Sequence, residues 1–372
     1  MLMTTEFFNI TVIGAGNGGK TMAAHLGYLG YPVTLYNRTA NRVQAVKELG
    51  HIELIGAGFS PGTLCPIARV TSDIAEALSE AKLIMVVIPS SAHAEIAKVM
   101  SPHLKDGQVA VLHPGRTCGA IEFRNVLDKT NCQANVIIAE TETFIYASRS
   151  DGPAEARIFS IKQSVPLAAL PATANQTVLD LIRQPYPQYI NGGNVLKTGL
   201  NNMGAIFHPA LALLNAGWIE ATFGDFDFYV QGATQSVARV LEVLDRERVT
   251  VASALGIQAR SGLDWLSMAY DAHGENLYEA IHAHTGYAGI KAPGTLQHRY
   301  IFEDVPMSLV PIASLGKMVG VSVRVMDAII RLACVIHSTD YWRRGRTVEK
   351  LGIQHLSVAE LLHFVNEYKL AP

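Results

Sequence analysis

Gly14, Gly16 and Gly19 stand at a spacing that lets a polypeptide backbone hold phosphate. In a G-x-G-x-x-G turn the first glycine permits a sharp reversal and the second lets the main chain approach a pyrophosphate. The third lets the following helix pack closely on its strand. Context makes the string specific. Ile10–Ile13 reads as a buried strand, Lys20–Leu29 as a helix stopped by Gly30 and Pro32, and Val33–Tyr36 as a second strand. The helix start would offer unpaired N–H groups and a positive dipole end to the phosphates. Gly14, Gly16, Asn17 and Gly19 are therefore expected to contact a dinucleotide. Its type depends on the end of the second strand, where a carboxylate would accept from a ribose 2′-OH and a guanidinium would take a 2′-phosphate. The residues there are Asn37, Arg38 and Thr39, and no carboxylate occurs before Glu48. NADP(H) is expected in preference to NAD(H), held by Asn37, Arg38 and Thr39.

Two polar islands in the second half could carry acid–base chemistry. One runs from Asn201 and Asn202 through His208-Pro209 to Asn215 in an otherwise apolar stretch; the other is His298-Arg299-Tyr300 followed by Glu303-Asp304. If Asp304 met His208, the carboxylate would fix the imidazole tautomer and support its protonated form, a pair able to move protons near neutral pH. A core histidine bonded to a backbone carbonyl, and a structural ion pair for Arg299 and Asp304, are the plainer readings. Spacing alone leaves both open.

The elements that must position these residues follow from the hydrophobic pattern. The first half alternates strands and helices, the signature of an α/β doubly wound parallel sheet of the Rossmann type. Leu83–Ile88, Val109–Leu112 and Val136–Ala139 read as further buried strands, and Ala156–Ile161 and Pro166–Leu170 as the last ones. Short strands are possible at His51–Ile55 and Ile67–Val70 in a region rich in glycine and proline. Ligands of such sheets lie beyond the strand C-termini, so Pro89, Pro114, Gly115, Glu140 and Thr141 should face the cofactor side. From Asn194 onward the periodicity is helical, with segments expected at Val195–Leu214, Gln231–Leu255, Val323–Ile336 and Val358–Tyr368. The division expected is residues 1–188 for the dinucleotide domain and 189–372 for a mostly α-helical substrate domain.

Bulk properties narrow the class. The 372 residues carry 30 basic and 32 acidic side chains, a net charge of −2 with no basic block. That argues against nucleic-acid and anionic-membrane partners. Four cysteines lack C-x-x-C spacing, which points to reduced thiols in the cytoplasm and to no metal site. The start, Met-Leu-Met-Thr-Thr-Glu-Phe-Phe, has no basic region of a secretory leader, and no apolar run is long enough to span a bilayer.

The sequence resembles the opine dehydrogenases, the octopine/nopaline dehydrogenase group, over essentially its whole length. The resemblance is carried by Ile13–Gly19, by Pro114-Gly115-Arg116-Thr117 with Gly119–Phe123, by Ala139-Glu140-Thr141, by Asn202 through Gly217, and by Arg299-Tyr300 with Glu303-Asp304-Val305-Pro306. It implies His208 and Asp304 as the catalytic dyad and Arg299 in the substrate site, with Asn202, Glu140 and Thr141 also expected there. It further implies NADPH-dependent reductive condensation of an amino acid with an α-keto acid, pyruvate being the family's usual partner. In such a reaction the amine attacks the keto carbon, water leaves, and the imine is reduced to an N-(carboxyalkyl) amino acid. Departures from the family pattern occur at Gly204, His113 and Ser148. Phe207, Trp218 and Tyr287 are candidates for the amine pocket, and the apolar stretch Ala210–Ile219 could serve a core or a homodimer interface. Two alternatives stay open: a ketopantoate- or β-hydroxyacid-type reductase using Lys197, four residues before Asn201, and a non-catalytic NADPH-binding protein.

Overall fold

Short, wholly apolar strands flanked by glycine build the first part of the chain. The computed structural model describes residues 7–367; Met1–Glu6 and Tyr368, which the sequence reading assigned to the chain start and the last helix, lie outside them. Among the described residues twelve strands form: β1 (Ile10–Ile13), β2 (Val33–Tyr36), β3 (His51–Gly56), β4 (Phe59–Pro66), β5 (Arg69–Thr71), β6 (Leu83–Val86), β7 (Val109–Leu112), β8 (Ile137–Thr141), β9 (Tyr146–Arg149), β10 (Glu155–Ile161), β11 (Val165–Leu170) and β12 (Tyr189–Asn191). Eight of them make one sheet in the order β12-β11-β8-β7-β6-β1-β2-β5. From β8 to β5 the pairing is parallel, as the continuous apolar runs require for strands covered on both faces. The far edge departs from the purely parallel expectation. There β11 runs antiparallel to β8 with Leu167 opposite Thr141, and β12, unexpected from sequence, pairs parallel with β11.

A second sheet, β4-β3-β10-β9, was also not anticipated. Its edge strand β4 is Phe-Ser-Pro-Gly-Thr-Leu-Cys-Pro, without apolar alternation, and edge positions tolerate proline because no donor is needed on the open side. The helix Asn17–Tyr28 packs against strands of both sheets and is buried continuously from Gly19 to Gly27. A helix covered all round needs small residues where backbones meet. A Cβ on Gly27 would lie 2.2 Å from the Pro66 carbonyl oxygen.

The chain divides into two compact units, one reaching from the start to Thr198 and including the stretch from His363, the other Gly199–Leu362. The division thus falls ten residues beyond the sequence-based boundary at 188/189, since β12 and Thr198 still belong to the sheet unit. The second unit is helical, with Gly204–Leu214, Gln235–Ala254, Val310–Met318 and Arg324–Ile336 as its main helices. The single helix expected over Val195–Leu214 is two, Val195–Leu200 and Gly204–Leu214. Asn201 and Asn202 interrupt it because their side chains bond elsewhere: Asn201 Oδ1 accepts from Arg260 N at 3.0 Å and Asn202 Nδ2 donates to Ser308 Oγ at 2.8 Å.

Candidate cofactor site and acid–base dyad

The glycine-rich turn shows three distinct constraints. Gly14 has φ +107°, and a Cβ there would meet the Val87 carbonyl oxygen at 2.4 Å. At Gly19 a Cβ would lie 1.8 Å from the Gly14 oxygen, so the helix can start here only without a side chain. Nothing of the protein lies within 4 Å of a Cβ built on Gly16. Its missing side chain is explained by no neighbour in the fold, and an open, side-chain-free face at a helix start is what a pyrophosphate requires. The residues therefore fit a dinucleotide.

Asn37 organises the adjoining loop. Its Oδ1 accepts from Ala15 N at 3.2 Å and its Nδ2 donates to the Thr39 oxygen at 3.0 Å. Asn17 Oδ1 accepts from Ser150 N at 3.3 Å. Arg38 is exposed and pairs with Glu95, also exposed. Pro89 precedes a short turn in which its oxygen accepts from Ala92 N at 2.9 Å. Beyond β7, Gly115 N donates to the Thr141 oxygen at 3.2 Å, and a Cβ on Gly115 would overlap Glu140.

Glu140 and Thr141, expected at the substrate, are buried within the sheet unit. Glu140 Oε2 accepts from Ala120 N at 2.8 Å, in the first turn of the helix Gly119–Lys129, where a carboxylate is favoured by the free N–H groups and the dipole. Its Oε1 accepts from Thr198 Oγ1 at 2.7 Å. Thr141 Oγ1 donates to the Leu112 oxygen at 3.3 Å. These contacts tie the loops after β7 and β8 together. His113, a departure from the family pattern, is fully enclosed, lies 3.1 Å from Met85 Sδ and 3.3 Å from the Tyr189 hydroxyl, and burial holds its pKa down at about 3.

In the helical unit the two polar islands meet. His208 Nδ1–H donates to Asp304 Oδ2 at 2.8 Å. Asp304 is wholly buried, whereas the His208 side chain keeps 19% of its surface exposed. A buried carboxylate is stable only with hydrogen-bonded partners, and a carboxylate bound at Nδ1 leaves Nε2 as the acceptor of the neutral ring. Asp304 opens a π-helical turn, Val305–Leu309, a wide turn often found where a side chain must be aimed. Asn202, expected at the substrate, bonds to that turn through Ser308 Oγ. Tyr300 stacks on His208 at 4.1 Å, and His298 Nδ1 accepts from Tyr300 N at 3.4 Å. Both belong to the second polar island read from the sequence, where neither was given a role. His298 titrates below the ordinary histidine range, by burial first and then by the charges of Arg299 and His208. Arg299 is half exposed, its Nε 3.5 Å from Glu303. Of the aromatic candidates, Phe207 lies by Trp265 and Tyr287 stacks on Tyr229, while Trp218 stacks on Phe226.

This arrangement has known relatives. The NAD/NADP octopine/nopaline dehydrogenase alpha-helical domain matches residues 191–337, and the N-terminus of NAD-dependent glycerol-3-phosphate dehydrogenase matches residues 9–114. The opine dehydrogenase of Arthrobacter sp. (strain 1C) is 37% identical over 348 residues, 94% of this chain and 96% of its own. The chain belongs to the opine dehydrogenase family. The family's octopine dehydrogenase from Pecten maximus is 24% identical over 87% of this chain and 89% of its own. A solved octopine dehydrogenase with NADH and L-arginine superposes with a TM-score of 0.80 at 19% identity, covering 98% of this chain and 100% of that one. A ketopantoate reductase from Ralstonia eutropha shares the fold at a TM-score of 0.62 and 17% identity, over 89% of this chain and 98% of that one. The chain is thus an NAD(P)-binding oxidoreductase of this family. Among the described residues no helix is long and apolar enough to cross a membrane.

Proposed function

We propose that this member of the family uses NADPH in preference to NADH to condense an amino acid with an α-keto acid, pyruvate by expectation, and to reduce the resulting imine to a secondary amine. The observation that carries the reading is the His208–Asp304 pair, a part-exposed imidazole held by a fully buried carboxylate at 2.8 Å. Condensation needs a base to take a proton from the attacking amine and an acid to protonate the departing hydroxyl. One imidazole cycling between its charge states does both through Nε2, while Asp304 holds the ring and stabilises its cationic form. Arg299 presents a guanidinium fork to a substrate carboxylate. Asn202 fixes the turn that carries Asp304, and Glu140 and Thr141 are the further substrate-site residues that the family resemblance implies.

When bound, NADPH supplies the hydride. Gly14, Gly16, Asn17 and Gly19 would hold its pyrophosphate, Asn37, Arg38 and Thr39 its 2′-phosphate, and Pro89, Pro114 and Gly115 its nicotinamide half. The four free cysteines suit a reducing, cytoplasmic setting. The hydroxyacid-reductase reading through Lys197 is not favoured. The helix that carries Lys197 ends at Leu200, and the side-chain Oδ1 of Asn201, the partner that the Lys-x-x-x-Asn spacing would need, accepts from Arg260 N at 3.0 Å. A matrix of keto acids against amino acids, read by NADPH absorbance, tests the proposal. Oxidation that requires both substrates is expected; oxidation by keto acid without amine would overturn it.

A further inference from the structure

The hydrogen bond between His208 and Asp304 holds the imidazole at one atom, Nδ1. A single bond of this kind fixes a distance but leaves the ring free to swing about it. A general acid–base must keep Nε2 aimed to roughly 10–20° and about half an ångström. A second hold is needed, and it has to act on the plane of the ring.

Tyr300 makes a contact of that kind. Its ring stacks on His208 with centroids 4.1 Å apart and planes 21° from parallel. The local backbone explains why one segment grips the imidazole twice. Arg299–Phe302 is a short helix, and Glu303 and Asp304 keep right-handed helical backbone after it. Residues four apart in such a stretch project from the same face. Tyr300 and Asp304 therefore reach His208 together, one against the face of its ring and the other at its edge.

Tyr300 is itself held. Phe228, fully buried, lies nearly parallel to it at 5.3 Å and 20°. His298 meets its ring edge-on at 4.4 Å. The hydroxyl of Tyr229, a buried residue stacked on Tyr287, is hydrogen-bonded to Tyr300. Phe228 and Tyr229 belong to a segment pinned to the stretch 290–292: Phe228 N donates to the Ile290 oxygen at 2.8 Å, and Ala292 N donates to the Phe226 oxygen at 3.0 Å. The stack thus starts on a platform of backbone hydrogen bonds and ends on the imidazole, all within the helical unit.

We propose that Tyr300 is a positioning residue of the dyad: its aromatic face sets the plane of His208 and so aims Nε2, while its hydroxyl anchors the ring to Tyr229. This rests on the proposed acid–base role of His208. The role divides by atoms, the ring serving turnover and the hydroxyl serving stability.

The test is steady-state kinetics of the full chain with NADPH and the keto acid and amine that the wild type turns over best. Tyr300→Leu keeps apolar bulk but removes the flat face, and kcat should fall roughly 10- to 100-fold, the scale of a misaimed catalytic group. The KM for the keto acid and the Kd for NADPH should move by less than about twofold, since no binding contact is lost. Tyr300→Phe should restore kcat to within about threefold of wild type. It should also lower the melting temperature by a few degrees, because the buried Tyr229 hydroxyl loses a partner. In a His208→Ala background, Tyr300→Leu should reduce the residual turnover no further, as expected of groups that act as one unit. If the Leu variant does not fold, Tyr300→Met, flexible enough to fill the gap without a flat face, takes its place. A folded Leu or Met variant with normal kcat, a Phe variant as slow as the Leu variant, or a loss expressed in KM alone overturns the positioning role while leaving the activity reading intact. A wild type that turns over no keto acid with any amine removes the activity reading and the role of Tyr300 with it.

Discussion

At the glycine-rich turn the groups that would meet a ligand are main-chain N–H donors, and the sequence contributes chiefly by leaving side chains out. At the dyad the working groups are side chains 96 residues apart, brought to 2.8 Å by the helical unit. A backbone site of the first kind needs only a strand, a turn and a helix, all within about thirty residues. A side-chain site needs a whole unit to fold before either partner has a role. The two should therefore fail differently. Damage at the turn should change cofactor affinity or stability, and damage at the dyad should change turnover alone.

The dyad offers the largest expected effect. His208→Ala should lower kcat about 10²- to 10⁴-fold with the Kd for NADPH unchanged. Asp304→Asn should fall in the same direction, and the double variant should be scarcely worse than His208→Ala, because residues acting as one unit do not lose additively. Retained turnover in His208→Ala, read by NADPH absorbance, would break the contrast at its chemical end. At the cofactor end, Arg38→Asp should reverse the preference between NADPH and NADH, moving the ratio of their kcat/KM values by about 10- to 100-fold, the worth of a charge-assisted hydrogen bond. Equal kinetics with both cofactors before and after the change would remove Arg38 from the 2′-phosphate site.

Two glycines of one turn sharpen the contrast further. Gly16→Ala adds a methyl group where no protein atom lies within 4 Å, so the melting temperature should hold while NADPH binding weakens about tenfold. Gly19→Ala places a methyl group 1.8 Å from the Gly14 oxygen. It should lower the melting temperature by several degrees, the scale of roughly 1–3 kcal/mol of overpacking. Thermal melts with and without NADPH separate the two. A Gly16 variant that binds NADPH normally would show that the open face is not where the phosphates lie.

The same contrast explains what was legible in the chain. The βαβ turn, the alternation of strands and helices in the first half and the helical character of the second half could be read because each depends on neighbours in sequence. The His208–Asp304 pair became specific only through family resemblance, since nothing in a local string says that two islands meet. The second sheet was hidden because β4 is an edge strand whose prolines and glycine erase the alternation that marks a strand. The break between Leu200 and Gly204 was hidden because apolar periodicity runs through it; the interruption comes from Asn201 and Asn202 bonding to Arg260 and Ser308, contacts only the folded unit supplies. Glu140, expected at the substrate, accepts from Ala120 N and Thr198 Oγ1, contacts that only the folded unit supplies.

The smallest expected effect lies in the pair of Arg38 and Glu95, both largely solvent-exposed. An exposed ion pair contributes about 0–1 kcal/mol and is screened by salt, so Glu95 should only weakly hold the guanidinium away from a phosphate. A 2′-phosphate brings more charge than one carboxylate and should displace it. Glu95→Gln should then strengthen NADPH binding by about two- to fivefold at low ionic strength, leave NADH binding unaltered, and lose the difference near 0.5 M salt, where the Debye length is only about 4 Å. Fluorescence titrations of both cofactors at two salt concentrations measure this. An equal gain for NADH would mean that Glu95 acts on the loop rather than on Arg38, and the cofactor end of the contrast would then rest on backbone alone.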